Sequence, residues 1–118
     1  MIMYKGLLLV LLLTASPLFA ECMRDLEGRS ICGHGPCAKD RRGDVYCARD
    51  RYGTALQDDR GNVVCGLGKC AKDIRGNIYC STESGGDAIR NDRGEIDCFG
   101  ACQLAAVALC EQVLAGRK

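Results

Sequence analysis

The side chains best equipped for chemistry are ten cysteines in a chain of 118 residues, joined by a single histidine, His34. Thiols at this density admit three uses: disulfide cross-linking, thiolate coordination of a soft metal, and thiol–disulfide exchange. Exchange proteins of the thioredoxin type carry C-x-x-C, and that spacing is absent. Structural zinc sites also favour tight C-x2-C pairs. Here CGHGPC (32–37) and CGLGKC (65–70) place four residues between cysteines, and CFGAC (98–102) places three. The one metal set the spacing offers is Cys32, His34 and Cys37, suited to copper or zinc, but the second connector has Leu67 where the first has His34. The expectation is therefore that Cys22, Cys32, Cys37, Cys47, Cys65, Cys70, Cys80, Cys98, Cys102 and Cys110 all pair, with no cofactor.

A parity argument narrows the pairing. Cys22, Cys32, Cys37 and Cys47 form a block of four; Cys65, Cys70 and Cys80 form a block of three, as do Cys98, Cys102 and Cys110. Full oxidation sends at least one bridge out of each block of three, and the simplest solution staples those two blocks together. Within blocks, facing pairs such as Cys70–Cys80 compete with connector-closing pairs such as Cys65–Cys70, and the sequence leaves both open.

Disulfides require an oxidising compartment, and the N-terminus supplies the route. Lys5, the apolar run GLLLVLLLTA (6–15) and the small-residue end SPLFA (16–20) follow the order of a secretory signal peptide cut after Ala20. The apolar run is shorter than the ~20 residues a membrane span needs, so no transmembrane segment is expected after cleavage. Glu21 before Cys22 is a poor lipidation site, where a small residue is required. Removing 1–20 takes away Lys5 and no acid, leaving 15 basic against 15 acidic groups. A neutral chain lacks the field that draws nucleic acid or anionic membrane. Nucleic acid is therefore not an expected partner; an unidentified protein or envelope ligand is.

The elements that must hold the cysteines come as repeats. SICGHGPCAKDRRGDVYC (30–47) and VVCGLGKCAKDIRGNIYC (63–80) match across the offset from Cys32 to Cys65, and the next step reaches Cys98. A shorter frame runs through segments 22–32, 37–47, 55–65, 70–80 and 88–98. Each has Asp or Asn (Asp25, Asp40, Asp58, Asp73, Asn91), Gly three later (Gly28, Gly43, Gly61, Gly76, Gly94) and Cys four after that. Asp or Asn opening a type I turn accepts backbone N–H bonds, and Gly at positive φ closes a three-residue hairpin loop. Counting back from the turn sets Cys22 against Cys32, Cys37 against Cys47, Cys70 against Cys80, Ala55 against Cys65 and Ala88 against Cys98. The alternation puts Gly+2 and Gly+4 on one face, read as the core face. Short connectors predict adjacent antiparallel strands, so 22–47 and 55–80 read as two four-stranded meanders with a fifth hairpin at 88–98. The class is mainly β: repeated antiparallel hairpins, solenoid-like or a small two-sheet fold, and disulfide-rich.

The tail reads differently. ACQLAAVALCEQVL (101–114) is rich in Ala and Leu with no internal Gly or Pro, which predicts a C-terminal α-helix capping the open edge of the array. The organisation is thus a signal peptide (1–20), cysteine-rich hairpin repeats (21–98), and a C-terminal helix and tail (99–118).

Other signals have plain explanations. Turn chemistry accounts for the repeated Asp and Gly without calcium. Arg41, Arg42, Arg60, Arg75 and Arg93 could form a guanidinium row, but Asp59, Asp92 and Glu27 make a mixed solvated edge the simpler reading. Tyr46 and Tyr79 suit cross-strand packing. No Ser/His/Asp triad or phosphate loop is present, so no catalytic residue is assigned and an enzyme is not expected.

The motifs CGHGPCAKDRRGDVYC, CGLGKCAKDIRGNIYC and CFGAC resemble those of small exported bacterial cysteine-rich proteins that repeat CGxGxC-xxD-xxG-xxxC units. The resemblance spans roughly residues 28–102; the C-terminal helix and Cys110 depart from it. It implies a periplasmic or secreted setting and carries over no functional residue. The expected role is binding or structural, in the cell envelope or outside the cell. A periplasmic thiolate metal-binding protein and a secreted effector or inhibitor are the alternatives.

Overall fold

The computed structural model describes residues 21–116; the expected signal peptide, 1–20, lies outside the described residues, as do 117 and 118. Five hairpins follow one another: β1 (Glu21–Arg24) with β2 (Ser30–Gly33), β3 (Cys37–Lys39) with β4 (Val45–Ala48), β5 (Thr54–Gln57) with β6 (Val63–Gly66), β7 (Cys70–Lys72) with β8 (Ile78–Ser81), and β9 (Ala88–Arg90) with β10 (Ile96–Cys98). Their registers set Cys22 against Cys32, Cys37 against Cys47, Ala55 against Cys65, Cys70 against Cys80 and Ala88 against Cys98, as the turn count predicts.

All five turns share one hydrogen-bond pattern. In the second, Gly43 N–H donates to Asp40 O at 3.0 Å and Asp40 N–H donates to Asp44 O at 2.8 Å. Asp40 Oδ1 accepts from the N–H groups of Arg42 and Asp44, both at 2.9 Å. Asp25, Asp58, Asp73 and Asn91 repeat these bonds. The closing glycines have φ of 83°, 94°, 89°, 92° and 83°, a region that L side chains avoid.

The two expected meanders do not form. β2 pairs with β1, not with β3, and each hairpin belongs to its own small sheet. The short connectors lift the chain by one level instead of turning it in plane, and the sheets stack face to face. Met23 and Ile31 of the first hairpin pack on Val45 and the Cys37–Cys47 pair of the second. Ala38 and Tyr46 of the second meet Ala55, Val63 and Cys65 of the third. Leu56 and Val64 of the third cover Ile78, Cys70 and Cys80 of the fourth. The core is therefore a series of thin apolar layers, each containing sulfur. Gly33 permits one such approach, since a Cβ there would lie 2.2 Å from Cys47 Cβ.

The turns stack in the same order. The residue after each turn Asp sits over the next turn's Gly: Leu26 over Gly43, Arg41 over Gly61, Asp59 over Gly76 and Ile74 over Gly94. Two of these steps carry backbone bonds, Arg41 N–H to Gly61 O at 2.8 Å and Ile74 N–H to Gly94 O at 2.9 Å.

The expected C-terminal helix is absent. Residues 102–114 form β11 (Cys102–Leu104), a 3-10 turn (Val107–Leu109), β12 (Cys110–Glu111) and β13 (Val113–Leu114). This segment descends the stack like a staircase. β11 pairs with β8, Ala106 bridges Cys65 of β6, β12 pairs with β4, and β13 pairs with β2. It thus covers the open edge of the second strand in four successive hairpins, the role expected of the tail but in extended form. Three steps at ~10 Å per sheet layer need ~30 Å. Fourteen residues span about 21 Å as a helix and ample length as strand. Edge pairing at every level outweighs the helix propensity of Ala and Leu.

Candidate functional site

The cysteines are the chemistry-bearing residues, and all of those described are oxidised: Cys22–Cys32, Cys37–Cys47, Cys70–Cys80, Cys65–Cys110 and Cys98–Cys102. Three of these join facing positions of one hairpin. Cys98–Cys102 closes the CFGAC connector, so that alternative wins once. Cys65–Cys110 is the staple between the two blocks of three, tying the staircase to the middle of the stack. Its sulfurs are deeply placed, with Cys65 at 0% and Cys110 at 5% exposure.

The alternative metal set of Cys32, His34 and Cys37 is not assembled in this structure. Cys32 and Cys37 are each bonded to another cysteine, so neither offers a thiolate. Among the described residues no cluster of three or more His, Cys, Asp or Glu side chains could hold a metal ion. His34 instead faces Glu111: its backbone N–H donates to Glu111 Oε2 at 2.8 Å, and its Nδ1 lies 2.8 Å from the same oxygen. Burial raises the Glu111 pKa. The His34 backbone N–H, then its ring and charge, and finally Arg49 outweigh that, so the carboxyl sits below its ordinary value of 4.5. Glu111 faces Cys47 in the β12–β4 register, so the pair latches the staircase to the second hairpin. Gln112 adds a bond from Nε2 to Val45 O at 2.8 Å. Sequence reasoning missed both residues because it placed them on a helix.

The turn edge carries Arg42, Arg60, Arg75 and Arg93, each two residues after its turn Asp or Asn, so the stack sets them in a row. Two open grooves lie between consecutive turns. One of about 410 Å³ is flanked by Arg60 and Arg75, and one of about 420 Å³ by Arg75 and Arg93. Acids interleave with the row. Lys72 Nζ pairs with Asp59 at 2.7 Å, Arg93 with Glu95 at 3.5 Å and Arg42 with Asp40 at 3.7 Å. The mixed solvated edge is what the structure shows. At the first turn, burial raises the Asp25 pKa, but hydrogen bonds from the Arg29 backbone and guanidinium, with that cation's charge, pull it below its ordinary 3.8. Tyr46 lies in the core layers, while Tyr52 is 62% exposed beside the connectors.

What the arrangement supports chemically is covalent cross-linking of a thin fold and charge-mediated contact along its edges. No protein-family model, no curated protein and no solved structure matches the chain. Five disulfides point to an oxidising setting, extracellular or periplasmic. Among the described residues no helix is long and apolar enough to cross a membrane.

Proposed function

We infer that the protein is exported, loses residues 1–20, and serves as a disulfide-locked structural module with a binding role in the cell envelope or outside the cell. The observation that carries this reading is that each of the three apolar clusters contains disulfide sulfur. Such thin layers bury little area against chain entropy, and cross-links that restrict the unfolded chain supply the difference. A rod of repeated rungs presents long edges and two ends, which suits a scaffold better than a reaction centre.

The test is fractionation with intact mass on the native product. The reading expects a chain beginning at Glu21 in the envelope fraction or the medium, ten hydrogens lighter than the reduced form, two for each of five disulfides, and inert to alkylation. A cytoplasmic product with most thiols alkylated overturns it.

A further inference from the structure

The two ends of the stack are complementary in the same way as its internal layers, and we propose that a second copy of the chain docks head to tail, the fifth hairpin of one copy covering the first hairpin of the next. This deepens the export reading and rests on it, because the docking end belongs to a chain that begins at Glu21, and residues 1–20 directly precede that end in the sequence.

Three internal patterns are left incomplete at the ends. The first is the turn stack. Gly43, Gly61, Gly76 and Gly94 are each covered by the residue that follows the preceding turn Asp, whereas Gly28 has nothing within 4 Å of a built Cβ. At the other end, the residue in the covering position is Asp92, which is exposed and follows Asn91. Asp92 stands to the fifth turn as Asp59 stands to the third, and Asp59 is the residue that covers Gly76.

The second is charge. Where Asp59 covers Gly76, Lys72, the residue before the next turn Asp, grips it at 2.7 Å. The residue before the first turn Asp is Arg24, which is exposed and whose guanidinium has no hydrogen bond or ion pair among the described residues. The residues at that position in the third and fifth hairpins also reach back one level, Gln57 Nε2 to Lys39 O at 3.0 Å and Arg90 Nε to Lys72 O at 3.0 Å. Arg24 has no level to reach within its own chain. A second copy would set Asp92 over Gly28 and beside Arg24.

The third is the layer itself. Met23 and Leu56 occupy equivalent positions in the first and third hairpins, and each packs on a facing disulfide of the next hairpin. The equivalent in the fifth hairpin is Ile89, which is 58% exposed with nothing stacked on it. It borders a depression of about 230 Å³ shared with Phe99, itself 68% exposed. The outer face of the first hairpin carries a facing disulfide of the required kind, Cys22–Cys32, exposed on its Cys22 side and buried at Cys32. Apolar cover and sulfur platform thus sit at opposite ends of one chain. A heterologous contact of this sort leaves a free end on every added copy, so growth is open-ended.

The test uses the product exported from the full chain, with intact mass reporting its N-terminus and sedimentation measured across a concentration series. The expected result is a product starting at Glu21 whose weight-average mass rises continuously with concentration. Arg24→Glu and Asp92→Arg should each weaken association at least about tenfold. An equimolar mixture of the two variants should restore it, because every junction in an alternating array then joins opposite charges. A product starting at Glu21 that stays monomeric, that associates with no response to either reversal or no rescue on mixing, or that instead forms a fixed complex with a different protein, overturns the stacking while leaving export intact. A product that keeps residues 1–20 overturns both.

Discussion

Removing Cys65–Cys110 should cost more stability than removing any other bridge, and the structure gives the size. The pair spans 45 residues, against 10 for each facing pair and 4 for Cys98–Cys102. Chain-entropy loss on cross-linking gives about 4.0, 2.7 and 1.9 kcal/mol for those three spans. Cys70–Cys80 and Cys98–Cys102 lie inside the long loop and shorten its free path to roughly 33 residues, lowering the first figure to about 3.7 kcal/mol. Cys65→Ala with Cys110→Ala should therefore lose about 2 kcal/mol more than Cys98→Ala with Cys102→Ala. The assay is urea unfolding with the other bridges intact, followed by far-UV circular dichroism and by tyrosine emission, since the chain has no Trp and the product starting at Glu21 keeps Tyr46, Tyr52 and Tyr79. Small-protein urea slopes of about 1–3 kcal/mol per molar place the two midpoints on the order of 1 M apart. Hydrogen exchange should also show Cys110–Leu114 losing protection first in the long-loop variant, because β12 and β13 are short edge strands. Equal costs within ~0.5 kcal/mol, or the reverse order, would refute the reasoning. Such a result would mean that the unfolded chain already holds the tail against the third hairpin.

Three further expectations concern local chemistry. Asp58→Ala leaves the Arg60 and Asn62 N–H groups without their acceptor and should cost about 1–2 kcal/mol. Asp58→Asn should stay within ~0.5 kcal/mol in the same urea titration, since Asn91 makes the same bonds in the fifth turn. Gly66→Ala places a methyl 2.4 Å from Cys80 Sγ and 2.5 Å from its Cβ, both held rigidly by the Cys70–Cys80 bridge. It should lower stability by about 3 kcal/mol, whereas the open site at Gly28 leaves Gly28→Ala with a backbone penalty of only ~1 kcal/mol. Both are read as thermal midpoints. Glu111 is held below 4.5, so the stability it lends is fully present above that value and is lost as pH falls through its depressed folded pKa. Acid titration of the midpoint should flatten in Glu111→Gln, and an unchanged slope would remove the His34 latch from the account.

Much of the local structure is legible in the sequence alone. The Asp-x-x-Gly frame demands a turn in which a carboxylate accepts two N–H groups and a Gly takes positive φ, and all five turns meet that demand. Turn and spacing together set the register, so the facing cysteines were readable by counting. Parity in the cysteine blocks anticipated a staple between them. Intrinsic propensity alone points residues 101–114 to a helix, whereas the strand edges they pair with hold them extended. Glu111 and Gln112 gave no signal, since their partners His34 and Val45 are distant in the chain.

The sequence by itself determined the five hairpins and which of their cysteines face one another, because turn geometry and strand register depend on residues at most 10 apart; only the structure decided which of the competing pairs are bonded. Only the tertiary structure decided that short connectors change level, that the hairpins stack as separate sheets, and that the tail runs extended along them. Those outcomes depend on which open edges and apolar faces the assembled stack leaves to be covered, and a strand edge acquires that demand only once its neighbours are in place.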